Sequence, residues 1–127
     1  MGKMQRNKGA RGERELFALL SDGLGLNITR NLVQTRSGGA DTMDIPGFAI
    51  EVKRQEVLKM SEWWTQTLSQ AGDKIPVLAY RQSRKPWHFL ISLYDINPEW
   101  FPYRDREPEF CATMTTQGFI AFARRRV

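Results

Sequence analysis

Hydrophobic residues recur at helical spacing in three parts of the chain and alternate with polar residues between them, a pattern typical of a sheet flanked by helices. A first helix is predicted over residues 11–22, followed by glycine stop signals. A second runs from an N-cap at Ser61 to Gly72, and a third from a cap at Thr116 to the basic carboxyl end. The apolar faces consist of Leu16, Phe17 and Leu20 in the first helix, Trp64, Leu68 and Ala71 in the second, and Phe119, Ile120 and Phe122 in the third.

Strand signals occupy most of the remaining chain. Strands are predicted at residues 27–36, 48–53, 75–80, 87–93 and 110–115. The clearest follows a Pro46-Gly47 turn and places Phe48, Ile50 and Val52 on one face, with Ala49, Glu51 and Lys53 on the other. Residues 37–39 indicate a flexible break, and the proline-interrupted stretch 95–109 indicates an irregular surface excursion. This order predicts an α/β fold, a mixed central β-sheet flanked by helices.

Length and composition fit one folded domain. The 127 residues suffice for a single core, so we predict one domain over residues 1–127 with a mobile basic segment at 1–10. No apolar run approaches the roughly 20 residues that span a bilayer, so we expect no membrane partner and a cytoplasmic, intracellular protein. The single cysteine, Cys111, excludes an internal disulfide and a zinc cluster, and we interpret it as a buried or idle thiol.

The positive charge of the chain favours a polyanionic partner. The net charge is +5 and the pI about 9.7, with lysines and arginines gathered in clusters. Nucleic acid is the polyanion that fits best, although basic segments that only aid solubility are the alternative. The candidate contacts to DNA are Lys8, Arg11, Arg14, Arg36, Arg54, Arg81, Arg84 and Lys85.

Acidic residues near the clearest strand suggest that the protein hydrolyses the phosphodiester bonds of this nucleic acid. Hydrolysis of a phosphodiester needs a positioned water and an electrophile, and Mg²⁺ bound by carboxylates can provide both. Glu51 and Lys53 lie side by side on one strand face, which suits that chemistry. The simpler interpretation is a surface ion pair worth at most about 1 kcal/mol.

Two further acids strengthen the catalytic interpretation. Asp41 lies ten residues before Glu51, and a hairpin through the Pro-Gly turn can bring both to one ion. The alternative for Asp41 is turn chemistry, since aspartate is common near glycine in turns. Asp44 is a rival ligand, but it lies closer to the tip of the connection, where its position favours a turn-forming role. Glu13 falls on the apolar face of the first helix, where burial would require a cation or metal. Its alternative role is to suit the dipole at the helix start.

With these motifs in place, the chain resembles archaeal-type Holliday junction resolvases of the PD-(D/E)XK nuclease superfamily. The resemblance rests on residues 8–16, on Ser37 to Asp41 and on Ile50-Glu51-Val52-Lys53, and it extends to Leu93. It implies a restriction-endonuclease-like core and Mg²⁺ as cofactor, with Mn²⁺ substituting. The implied metal ligands are Asp41, Glu51 and the carbonyl of Val52. Lys53 would position or activate water, Glu13 would complete the site, and Gln66 or Gln70 would support Lys53 or the water.

The resemblance leaves the substrate open. The short spacing from Asp41 to Glu51 and the unmatched region after Asp95 are closer to phage-encoded members. The predicted function is a metal-dependent DNA endonuclease, a resolvase of Holliday junctions or other branched DNA. The alternatives are a restriction-like or repair nuclease on duplex or flapped DNA, and a non-catalytic basic DNA-binding module.

Two remaining features have both a functional and a structural interpretation. Paired cuts across a junction need two active sites, which favours a homodimer. Trp100, Phe101 and Tyr103 would either contribute to its interface or cap the core. His88 lies in an alternating strand, and we interpret it as structural or solvent-facing rather than as a base.

Overall fold

The structure, a computed structural model, describes residues 14–26, 28, 41–102, 104 and 106–126, with the backbone alone for residues 41–44. The predicted mobile segment 1–10 lies outside these residues. So do the glycine break at 37–39 and, apart from residue 28, the strand predicted at 27–36.

A five-stranded mixed sheet forms the centre of the molecule, with strands in the order β1-β2-β3-β4-β5. The strands are β1 (Asp41–Ile45), β2 (Phe48–Arg54), β3 (Ile75–Arg81), β4 (His88–Ser92) and β5 (Cys111–Met114). β2 and β3 are parallel, and all other neighbouring strands are antiparallel. The α/β prediction is therefore confirmed, as are the predicted strands within the described part of the chain.

Four helices accompany the sheet in the described part of the chain. They are α1 (residues 14–24), α2 (Met60–Ala71), α3 (Leu93–Ile96) and α4 (Thr116–Arg124), with a 3-10 turn at Pro108–Phe110. Since α2 joins the carboxyl end of β2 to the amino end of β3, it runs opposite to both strands and begins near Lys53.

Three predicted helix boundaries were wrong by one or two residues. α1 continues through Gly23 and stops at Gly25, whose φ of +68° a glycine adopts without strain. The N-cap of α2 is Lys59, not Ser61. The helix begins at Met60, which packs against the apolar cluster that contains Trp63 and Trp64. Thr115, not Thr116, caps α4 by accepting a hydrogen bond from the Gly118 N–H at 3.0 Å.

The helices cover the two faces of the sheet with separate cores. α2 packs one face through Trp63 and Trp64, which contact Leu78 and Leu90. The opposite face is covered by α1 and α4 and contains the larger core, formed by Leu16, Leu20, Phe48, Ile50, Val52, Phe89, Phe119 and their neighbours. The face of β2 that carries Glu51 is therefore the α2 face.

α1 and α4 meet at Gly23. A Cβ atom there would lie 2.8 Å from Ile120 Cδ1, and the Gly23 carbonyl accepts a hydrogen bond from Arg124 Nε at 2.8 Å. A glycine inside a helix costs about 1 kcal/mol relative to alanine, and the close approach of the two helices explains why one is present.

The surface excursion predicted at 95–109 is anchored by a buried acid. Asp95 is only 6% exposed and accepts hydrogen bonds from Arg106 Nε and Nη2 at 2.9 and 3.0 Å, and one from the Ser92 hydroxyl. These bonds raise the pKa of the Arg106 guanidinium, against an opposing effect of burial. The Arg106 carbonyl in turn accepts from Trp64 Nε1 at 2.6 Å. The prediction of a surface position was therefore wrong for Asp95. Its ion-pair partner lies eleven residues away, and a contact of this kind leaves no periodic signal in the sequence.

Asp95→Ala is expected to lower the free energy of unfolding by about 2–3 kcal/mol, because the half-buried guanidinium loses its hydrogen-bonded partner. Urea unfolding followed by tryptophan fluorescence measures the change. Glu99→Ala removes an exposed acid from the same segment and should change the free energy by less than about 0.5 kcal/mol. Equal losses in the two variants would show that the Asp95 network contributes nothing to stability.

The rest of the excursion is exposed. Trp100 is 77% and Phe101 39% exposed, so neither caps the core, while Tyr103 lies outside the described residues. The interpretation of these aromatic residues as an interface stays a prediction. Cys111 is half-buried, and its thiol donates to the Glu107 carbonyl at 3.4 Å.

Candidate active site at the ends of two parallel strands

Glu51 lies in the middle of the sheet and is only 2% exposed. Its strand is flanked by β1 and β3, and α2 covers the face from which its side chain projects. An ionised carboxylate is costly to remove from water unless a cation or metal compensates. This burial contradicts the surface ion-pair interpretation of the Glu-x-Lys pattern.

Lys53 provides a cation beside that carboxylate. Its Nζ atom lies 3.6 Å from Glu51 Oε1, beyond ordinary hydrogen-bond length, and its side chain is 19% exposed against 1% for that of Glu51. The lysine lies one residue before the end of β2, so it connects a buried acid to solvent at the carboxyl end of the strand. A substrate phosphate can approach the pair from this end.

The β1–β2 hairpin brings further acids to the same strand pair. Its two-residue turn uses Pro46 and Gly47, with φ of +84° at the glycine, and it pairs Asp41 with Val52 and Thr42 with Glu51. Asp41 is thus level with the span from Glu51 to Lys53. Asp41 and Val52 form the outermost described pair of this ladder, at its end away from the turn.

Asp44 occupies a different position in the hairpin. It pairs with Ala49 beside the turn, which is two residues, or roughly 7 Å along the strand, from Glu51. Facing residues of an antiparallel ladder share a face, so Thr42 and Asp44 hold register positions in phase with Glu51, and Asp41 holds the position in phase with Val52. The side chains of all three lie outside the description. Position along the strand therefore favours Asp41 as the acid that joins Glu51 in the site. The shared face of the sheet favours Asp44 for the same role.

Basic residues lie at the carboxyl ends of β2 and β3 and in the turn that follows β3. Arg54 and Arg81 are the last residues of β2 and β3 and are paired in register, while Arg84 and Lys85 are exposed in the following turn. Arg54 Nη2 donates to the Ser83 hydroxyl at 3.2 Å, and the Arg81 guanidinium lies 5.4 Å from the Trp87 ring centroid. We call Arg54, Arg81, Arg84 and Lys85 the basic rim. Four of the eight predicted DNA contacts therefore lie at the same end of the sheet as Lys53, with Arg54 and Arg81 in phase with the opposite face.

Five further predicted site residues lie at or beyond the limit of the described chain. Arg14 is exposed at the start of the described part of α1. The remaining four, Glu13, Lys8, Arg11 and Arg36, lie outside the described residues, so their placement stays a prediction.

The comparison with known families accounts for this combination of residues. Residues 4–117 match the family model described as "Phage putative PDDEXK endonuclease". The chain belongs to this phage PDDEXK endonuclease family. It is therefore a nuclease, and its Glu51-Val52-Lys53 segment has the form of the Glu-x-Lys part of the family's name.

This PDDEXK protein is similar to a solved structure over part of its length. Among solved structures, it is similar to a Holliday junction resolvase of the archaeal hyperthermophile Archaeoglobus fulgidus, with 23% sequence identity and a TM-score of 0.45. The similarity covers 65% of this chain and 70% of the resolvase chain. No curated protein matches the chain. In the described part of the chain, no helix is long and apolar enough to cross a membrane.

The two glutamines proposed to support the PDDEXK site differ in position. Both lie on α2, but Gln66 is half-buried and Gln70 is exposed. Because α2 starts near Lys53 and runs away from it, Gln66 is one helical turn closer to the site. The topology therefore favours Gln66, and the role of either residue stays a prediction.

One residue near Lys53 was missed by sequence reasoning. Tyr80 of β3 is the register partner of Lys53 and shares its face of the sheet, yet the sequence indicated only a buried strand. The alternation of Leu78 and Tyr80 could have revealed it only if the parallel pairing of β2 with β3 had been known.

Proposed function

We propose that this PDDEXK protein is a divalent-metal-dependent endonuclease that hydrolyses phosphodiester bonds of DNA. The observation that supports this best is the buried Glu51 carboxylate beside Lys53, which opens onto the basic rim. A protein that only binds DNA gains nothing from a buried acid near phosphates. Lysine and arginine contacts to phosphate serve binding and cleavage alike, so the acid is the discriminating residue.

The donor set suits Mg²⁺. Among the described side chains, which do not include those of the β1 acids, no three of His, Cys, Asp and Glu form a cluster. The oxygen donors proposed to hold the ion are Asp41, Glu51 and the Val52 carbonyl, and carboxylate and carbonyl oxygens are those that Mg²⁺ prefers, with Mn²⁺ as a substitute. A bound ion would supply Lewis acidity toward the phosphodiester.

The remaining groups act on the substrate directly. Lys53 donates hydrogen bonds from its ammonium group to the attacking water or to a phosphate oxygen, and Glu51 holds that ammonium close to the site. The basic rim binds the phosphates on either side of the scissile bond. Glu13 completes the acid set, and Gln66 orients Lys53 or the water.

Branched DNA is the substrate that we propose first, on the sequence resemblance to archaeal resolvases. Cutting a four-way junction symmetrically needs two active sites, so we propose a homodimer for this reaction. A restriction-like or repair activity on duplex or flapped DNA is the second candidate. The family description concerns phage proteins, so we place the reaction in the cytoplasm of an infected cell.

Cleavage is expected with Mg²⁺ or Mn²⁺ and is expected to stop when EDTA removes the metal. The assay uses purified protein with labelled four-way junction, flapped, single-stranded and duplex DNA, together with a mass measurement in solution. A junction cut faster than the others would support the resolvase. Failure to cut any of the four substrates with either metal would refute the catalytic proposal in favour of a binding module.

The same assay assigns the β1 acid. Asp41→Asn should stop cleavage while Asp44→Asn preserves it, because Asp41 is level with Glu51 and Lys53. The opposite result would assign the metal to Asp44, the residue in phase with Glu51.

A further inference from the structure

A surface pocket of about 290 Å³ is lined by Leu58, Tyr80, Gln82, Lys85 and His88. We call it the Tyr80 pocket. Tyr80 and Lys53 are register partners in neighbouring parallel strands, so the pocket begins one strand spacing, about 5 Å, from the proposed active site. A ligand bound there lies one strand away from Lys53.

Two aromatic rings form one wall of the pocket. Tyr80 and His88 face each other across the β3–β4 ladder, with ring centroids 5.4 Å apart and planes inclined by 31°. Such cross-strand pairs stabilise sheets by themselves, but here both rings are only half-buried and border an open cavity. Leu58, 37% exposed, adds an apolar surface. This wall offers flat apolar contact to a planar ring.

Polar groups complete the pocket. Gln82 Nε2 donates to the Glu56 carbonyl at 2.8 Å, which fixes the amide and presents its oxygen as an acceptor. The Tyr80 phenol keeps its proton at neutral pH, as an ordinary phenol does, and offers a hydrogen-bond donor; burial raises its pKa further. Lys85 is exposed and adds a positive charge. A planar ligand with hydrogen-bonding edges and an attached phosphate matches this set of groups.

We propose that the Tyr80 pocket receives an unpaired base of the substrate strand next to the bond that is cut. This inference rests on the proposed DNA endonuclease function and specifies its substrate. A paired base is stacked on both faces inside the duplex, so only an unpaired or extruded base can stack on the Tyr80–His88 wall. The pocket thus favours branch points, flaps and single strands over continuous duplex.

Binding to oligothymidylate, compared with an abasic deoxyribose phosphate oligomer of equal length, tests this proposal without cleavage. Both are titrated in EDTA and followed by fluorescence anisotropy. The base-bearing strand should bind about tenfold tighter, the factor expected for ~1.4 kcal/mol of stacking. Tyr80→Leu and His88→Leu should bring the ratio of the two affinities close to one, whereas Tyr80→Phe should preserve it.

Matched variants separate stacking from charge and from folding. Lys85→Ala should weaken both oligomers by the same factor, and Trp100→Leu, which removes an exposed aromatic elsewhere, should leave the ratio unchanged. Thermal melting confirms that each variant folds. The proposal is overturned if the wild-type protein binds the base-bearing and the abasic oligomers with nearly equal affinity. It is also overturned if Trp100→Leu abolishes the difference in affinity while His88→Leu preserves it. If the ratio behaves as expected but no DNA is cut, the pocket stands and the proposed catalysis fails.

Discussion

Glu51→Gln is expected to reduce DNA cleavage by about 10³-fold or more, because the variant loses the charge that we propose holds the metal, an effect of roughly 4 kcal/mol on the barrier. The amide has the same shape as the carboxylate, so packing under α2 is preserved. Single-turnover cleavage of the preferred substrate gives the rate. Glu62→Gln, which neutralises an exposed acid in the first turn of α2, is the matched control and should cleave normally.

Stability distinguishes this role from a structural one. If Glu51 serves catalysis, replacing a buried charge by a neutral amide should leave the melting temperature unchanged or raise it, since burial of the charge was unfavourable. If Glu51 and Lys53 form only a structural ion pair, the melting temperature should fall and the folded fraction should cleave at the wild-type rate. Normal cleavage by folded Glu51→Gln protein would remove the central assignment.

Lys53→Met is expected to lower the cleavage rate at saturating DNA by about 10²–10⁴-fold, the range for loss of a group that positions or transfers a proton. Methionine keeps most of the apolar stem and removes the ammonium. Affinity for DNA in EDTA should fall only a few-fold, because the basic rim provides the other phosphate contacts. Single-turnover rates and equilibrium titrations separate the two effects.

Lys59→Met, the loss of an exposed lysine at the start of α2, controls for net charge and should cleave normally. Lys53→Arg should remain strongly impaired, since a planar guanidinium does not replace a compact ammonium at 3.6 Å from a buried carboxylate. If the whole defect of Lys53→Met is in affinity, then the lysine is one more phosphate contact and has no part in the chemical step.

The sequence predicted the local features of the site well. Alternation over β2 and the Pro46-Gly47 turn are short-range signals, and both are confirmed. The burial of Glu51 could not be predicted in this way, because it depends on α2 covering one face of the sheet. Apolar and polar residues alternate along β2, yet at Glu51 the strand is buried on both faces.

The features that sequence reasoning missed depend on contacts between distant residues. The pairing of Lys53 with Tyr80 depends on the parallel register of β2 and β3, which no local pattern encodes. The α2 start at Met60 reflects the packing of that residue beneath the helix, which outweighed the capping preference of Ser61. In both cases packing determined a feature that local preference left open or predicted wrongly.

The two-residue turn of the β1–β2 hairpin limits how this nuclease can vary. Because Ile45 pairs directly with Phe48, the pairing of every residue from Asp41 to Val52 is determined by counting outward from Pro46-Gly47. Relatives can lengthen the hairpin by adding one residue to each arm. Such a change moves the turn outward and keeps Asp41 opposite Val52. A single insertion or deletion must be absorbed by a bulge or a different turn. Gaps in this segment should therefore occur in pairs, or at the turn, when such sequences are aligned.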